Sequence, residues 1–111
     1  MVDPLERGKK TIEIEINALQ NLPDRMGEDF VRAVKLIVEC KGHVVVTGIG
    51  KSGLIAQKIS ATLASTGTPS FFIHPVEGVH GDLGMVKDGD VVLALSFSGE
   101  TEELLRVLPV F

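Results

Sequence analysis

The residues able to do chemistry fall in two short loops. Ser96-Phe97-Ser98-Gly99-Glu100-Thr101-Glu102-Glu103 follows five apolar residues, Val91 to Leu95. Gly48-Ile49-Gly50-Lys51-Ser52-Gly53 follows Val44-Val45-Val46-Thr47. In the first loop, two hydroxyls two residues apart, a glycine that admits close backbone approach and a Thr just inside a helix offer O–H and N–H donors beside a positive helix terminus. In the second, Lys51 supplies a mobile positive charge and Ser52 a donor at another helix start, aimed at the same sheet edge. No free nucleophile or metal set competes for these residues, so phosphate or another small oxyanion is the first ligand to consider.

The glycine loop also matches two nucleotide signatures in part. Gly48, Gly50 and Gly53 fit G-x-G-x-x-G between a strand and a helix, but the acidic residue expected near the end of the next strand is missing. That strand ends Ile73-His74-Pro75, and Glu77 lies late, in a loop. Gly50-Lys51-Ser52 resembles the end of a Walker A loop, yet Val45 stands where its first glycine belongs. Neither motif is complete.

The elements that must position these loops alternate. Val44 to Thr47 reads as a buried strand, and the following helix has an apolar face including Leu54, Ile55, Ile59 and Leu63 and ends at Gly67. Ser70 to Ile73 is the next strand, and His74 to Asp88 a long connection with its own short turn or helix. Asp90 to Leu95 is a third strand, expected to be buried on both faces, and Glu100 to Val107 starts a helix. Such alternation implies right-handed crossovers and a parallel sheet with helices on both faces. Upstream, Leu5, Ile12, Ile16 and Leu19 follow a helical stripe, Asn21-Leu22-Pro23-Asp24 breaks it, and Phe30, Val34, Ile37 and Cys40 resume it until Gly42. The division is therefore residues 1–42, a helical segment packing on the domain, and residues 43–111, the α/β part.

Composition sets outer limits. At 111 residues with 44% hydrophobic content the chain can form one core, and its net charge of −4 includes no Lys/Arg block that would recruit nucleic acid. The apolar runs are strand-length, which argues against a membrane span, and no signal-peptide core is visible. Cys40 is the single cysteine, so an internal disulfide and a Cys-based zinc site are excluded and the cytoplasm is the default compartment. Three parallel strands would leave an apolar edge uncovered, so further strands beyond Phe111, or a second chain, are expected to cover it.

Four motifs in order carry a resemblance: Val44 to Gly53, Ala64-Ser-Thr-Gly-Thr-Pro-Ser-Phe-Phe-Ile-His-Pro75, His80-Gly-Asp-Leu-Gly-Met85 and Ser96-Phe-Ser-Gly-Glu100. Together they resemble the sugar isomerase (SIS) domain of D-arabinose 5-phosphate isomerases over roughly the last two-thirds of the chain. The resemblance implies a three-layer α/β sandwich of flavodoxin or Rossmann type, here its first half. It also implies interconversion of ribulose 5-phosphate and arabinose 5-phosphate for the eight-carbon sugar acid of lipopolysaccharide or capsule, and a homotetramer. Phosphate and substrate would be held by Gly50, Ser52, Ser96, Ser98, Gly99, Glu100 and Thr101. Lys51 and Glu103 match family active-site residues, and His80 matches a histidine facing the site. Phe97 departs from the small amide of many relatives. Further active-site residues of the family follow the position of Phe111, so this chain alone is expected to bind poorly and to turn nothing over.

Blander roles compete for the same residues. Glu100, Glu102 and Glu103 suit the start of a helix, and Ser96 or Ser98 could cap it, although capping needs only one of them. His74 reads as a loop-packing residue, and His80 with Asp82 makes two ligands where a stable metal site needs three or four. No metal or cofactor is called for, because fixed donors can carry the charge of an enediolate. A non-catalytic phosphosugar sensor and a hexulose-phosphate isomerase are the alternatives, and no basic recognition helix points to a DNA-bound regulator.

Overall fold

The computed structural model describes residues 1–75 and 82–98. The chain divides into two compact units, Met1–Lys35 and Leu36–Phe111. In the first, α1 (Pro4–Asn21) starts under an Asp3 cap whose carboxylate accepts from the Leu5 amide at 2.9 Å, with Pro4 at the first helical position. A 3-10 turn at Pro23–Arg25 separates it from α2 (Glu28–Val38), whose last residues belong to the second unit. The helical stripe of Leu5, Ile12, Ile16 and Leu19 thus lies on α1. The apolar residues Leu5, Ile12, Ile16, Leu19 and Phe30 are all exposed.

The second unit is built on β1 (Val44–Gly48), followed by α3 (Lys51–Ser65), β2 (Ser70–Ile73) and β3 (Val91–Leu95), with a 3-10 turn at Asp82–Met85. The strands are all parallel in the order β2-β1-β3. β1 is central, and Val44, Val45, Val46 and Thr47 are fully buried. Val44 and Val46 meet Ala56 of α3, and Ile37, Cys40, Ile59, Leu63, Phe72, Leu93 and Leu95 pack around them. Hydroxyls fasten β2 to its neighbours: Ser70 Oγ donates to the Val44 carbonyl at 2.7 Å and meets Ser60 Oγ of α3 at 2.9 Å, while Thr47 Oγ1 donates to the Ile73 carbonyl.

Two expectations are corrected. The apolar run of β3 predicts burial on both faces, yet every residue from Val91 to Leu95 is only half-buried, because β3 lies at one edge of the sheet among the described residues. The inner face of α3 is also not the one its large residues suggest. Gly53, Ala56 and Ser60 are buried, whereas Leu54 and Ile55 are 64% and 55% exposed. The cause is the closeness of α3 to β1. A Cβ on Gly53 would lie 2.7 Å from the Gly48 carbonyl oxygen, so only small side chains fit the seam at this end.

Candidate functional site

Strand order places the site. The chain leaves β1 toward β2 on one side, and β3 pairs on the other, so the carboxyl ends of β1 and β3 flank the point where the winding reverses. In open α/β sheets that crevice is where ligands bind. Gly48 pairs with Leu95 across it, which brings the loop into α3 beside the loop leaving β3. A cavity of about 610 Å³ opens there, within the usual ~300–1,000 Å³ of small-molecule sites. Lys51, Ser52 and Ile55 line it from α3, and Leu93, Ala94, Leu95, Ser96 and Phe97 from β3 and its end.

The geometry of the glycine loop follows from its three glycines. Gly50, the residue preceding α3, has φ 62° and ψ −131°, a conformation that L side chains rarely adopt. Gly48 and Gly53 allow backbone to meet backbone, since a Cβ on Gly48 would sit 3.0 Å from the Ser52 carbonyl group. The start of α3 is therefore pulled tightly onto the end of β1. No side chain caps it, and its first turn holds no acidic residue. Among the described residues the Lys51 ammonium and the Ser52 hydroxyl have no hydrogen-bond or ion-pair partner. An uncapped helix start with a cation on it is an electropositive corner suited to a phosphate or carboxylate.

Of the residues singled out by sequence, Lys51, Ser52 and Ser96 line this cavity, Gly50 directly precedes α3, and Ser98 follows two residues after Ser96. His80, Gly99, Glu100, Thr101 and Glu103 lie outside the described residues, as does the helix expected from Glu100. Sequence reasoning missed the apolar wall. It assigns Ile55 to the packed face of α3, whereas Ile55 lines the cavity together with Leu93 and Leu95. The available signal was register: in a strand that ends at a ligand site, the last side chains on one face belong to the site as much as to the core.

The opposite end of the same two strands is closed by Asp90. Its carboxylate accepts from the His43 amide at 2.7 Å and from the Lys87 amide at 2.8 Å, and the side chain is only 4% exposed. The Lys87 and His43 amide bonds hold its pKa below the ordinary value of 3.8. Gly42 is required here for space, because a Cβ would collide with the Asp90 carboxylate. Its role thus exceeds the helix stop expected from sequence.

Comparison with known proteins identifies the family and the fold. The model of the SIS domain matches residues 36–111. This chain belongs to the SIS domain family. It is 54% identical over 105 residues to the arabinose 5-phosphate isomerase GutQ of Escherichia coli O6:H1, an alignment covering 95% of this chain and 33% of that protein. Arabinose 5-phosphate isomerase KdsD of Pseudomonas aeruginosa is 53% identical, with 98% of this chain and 33% of the relative covered. A solved structure of an Escherichia coli CFT073 protein in complex with arabinose 5-phosphate superposes with a TM-score of 0.88 at 48% identity, covering 96% of this chain and 56% of that one. This SIS-family chain spans about a third of the length of the curated relatives it matches. Among its described residues, no helix is long and apolar enough to cross a membrane.

Proposed function

We propose that this chain carries the phosphosugar-binding half-site of an aldose–ketose isomerase that interconverts D-ribulose 5-phosphate and D-arabinose 5-phosphate. The observation that carries the reading is the electropositive start of α3, Lys51 and Ser52, facing Ser96 across one cavity at the reversal of strand winding. Identity above 50% to proteins named arabinose 5-phosphate isomerase supports the choice of substrate. The product would enter synthesis of the eight-carbon sugar acid of lipopolysaccharide or capsule. A cytoplasmic homo-oligomer, a tetramer by family resemblance, is part of the same reading, and the exposed apolar side chains of α1 are compatible with it.

The chemistry defines each role. Starting from the ketose, a base removes a proton from C1, negative charge spreads over O1 and O2 as the enediolate, and a proton returns to C2 while the hydroxyl proton of O2 replaces that of O1. The furanose form of the aldose must also open. The site therefore needs an anchor for the phosphate, a base and a positive group near the two oxygens. Ser52, Ser96, Ser98 and the backbone from Gly99 to Thr101 anchor the phosphate, with Glu100 among the substrate-binding residues. Lys51 faces the enediolate oxygens, Glu103 is the base or positions a hydroxyl, and His80 bonds the substrate. Fixed donors carry the developing charge.

The test compares turnover of arabinose 5-phosphate by the 111-residue chain with turnover by a version continued past Phe111 through the length of its relatives. Turnover by the longer version alone is the expected result, with half of the site on each side of that residue. Binding of the sugar phosphate without conversion would replace the enzyme reading with that of a sensor.

A further inference from the structure

The cavity has a chemically mixed lining. Lys51, Ser52 and Ser96 supply polar groups to its lining, Ile55, Leu93 and Leu95 are apolar, and Phe97 lines it as well. That ring is fully exposed, at 103% of its reference area, although it sits between two serines directly beyond a strand of the core. It has no ring contact among the described residues, whereas Phe72 and Phe71 each meet a histidine edge to face. Phosphate and hydroxyl groups gain nothing from such apolar groups. A carbon skeleton does, since each sugar carbon that bears a hydroxyl also presents a C–H bond on the opposite side.

We propose that Phe97 is a specificity-determining residue of this site, its ring covering the C–H face of the bound sugar while the phosphate is held by the serine hydroxyls of the two loops. The proposal rests on the phosphosugar reading above and assigns the part of the ligand that the polar groups leave unrecognised. Ligand size fits, because a cavity of about 610 Å³ leaves ample room for a carbon chain beside the anion. A ring in this lining then separates an extended sugar phosphate from a bare phosphate, which needs the hydroxyl donors alone. The consequence is a division of labour in which Ser52 and Ser96 set the affinity for the anion and Phe97 sets the preference for the sugar attached to it.

The experiment is calorimetric titration of the full-length protein carrying this chain, wild type, Phe97→Ala and Phe97→Tyr, with inorganic phosphate and with arabinose 5-phosphate. Phe97→Ala is expected to weaken arabinose 5-phosphate about three- to tenfold, the usual worth of an aromatic contact, and to leave inorganic phosphate unchanged. Phe97→Tyr, which keeps the ring, is expected to restore the ratio. Equal weakening of both ligands by Phe97→Ala would mean that the ring only shapes the loop, and unchanged binding of both would place it outside the site; either overturns the proposal. Wild-type protein that binds phosphate but shows no preference for the sugar phosphate would sink the phosphosugar reading itself, and the role of Phe97 with it.

Discussion

At the amino ends of β1 and β3 the Asp90 carboxylate is engaged by two backbone amides, the Gly42 amide donates to the Gly89 carbonyl at 3.1 Å, and the Cys40 thiol reaches the same carbonyl at 3.4 Å. At the carboxyl ends of the same strands, some five residues away, the start of α3 has no side-chain cap, Lys51 is exposed and a phenyl ring stands in solvent. One end uses its polar groups on the fold, and the other leaves Lys51 and Ser52 available. A parallel sheet produces this division without special design, because each strand enters from one side and releases its loop on the other. The closed end fixes the register of β3 against β1, and that register decides where Ser96 and Phe97 emerge.

The comparison can be broken from either end. The largest effect is expected for Lys51→Ala, which should lower turnover of arabinose 5-phosphate by the longer protein about a hundredfold or more while leaving the melting temperature within a degree or two. Unchanged turnover would remove Lys51 from the chemistry. Next comes Gly53→Ala, at the seam between α3 and β1. The added methyl group meets the Gly48 carbonyl oxygen, and overpacking of this kind costs about 2 kcal/mol. Urea unfolding should show the loss, and phosphate binding should fall with it because the start of α3 is displaced.

Asp90→Asn tests the closed end. The amide group can accept from one backbone N–H but turns its own donors toward the other, so a melting temperature lower by several degrees is expected, with no direct effect on ligand affinity. The pH dependence has a definite sign. Because the folded-state pKa lies below 3.8, the stabilising contribution is full above that value and is lost as pH falls through the depressed one. Acid unfolding of the Asp90→Asn protein should therefore be flatter than wild type below about pH 4. Loss of binding in step with loss of stability would erase the distinction between the two ends. The smallest effect is expected for Ser60→Ala, which deletes one member of the hydroxyl pair with Ser70 and should cost about 1 kcal/mol in a urea titration.

Much of the frame was legible because it is written locally. Ser70 to Ile73 is bounded by Gly67 and Pro69 on one side and His74-Pro75 on the other, and the observed strand matches that reading residue for residue. Gly67, with φ 101°, closes α3 as a glycine at that position suggests. The polar half of the site was legible for the same reason, since Lys51 and Ser52 are adjacent in the chain. What escaped depends on contacts between distant segments. Asp90 reads as the first residue of a strand until His43, 47 positions earlier, is seen donating to its carboxylate. On α3, hydrophobicity favours Leu54 and Ile55 for the inner face, while the seam selects for smallness at Gly53, Ala56 and Ser60. The half-burial of β3 follows from strand order, which no single segment records.

Gly50 also has a stereochemical consequence. Its angles, φ 62° and ψ −131°, are close to the mirror image of ordinary extended backbone. An L residue is strained there in spite of open space around the α-carbon, so handedness and not bulk is what the position forbids. A D-alanine introduced by chemical ligation would find at Gly50 the conformation that an L-alanine finds in a strand. It would stiffen the turn and lower the entropy of the unfolded chain, whereas L-alanine at the same atom count would distort it. The loop that presents Lys51 is thus set by chirality before any ligand arrives.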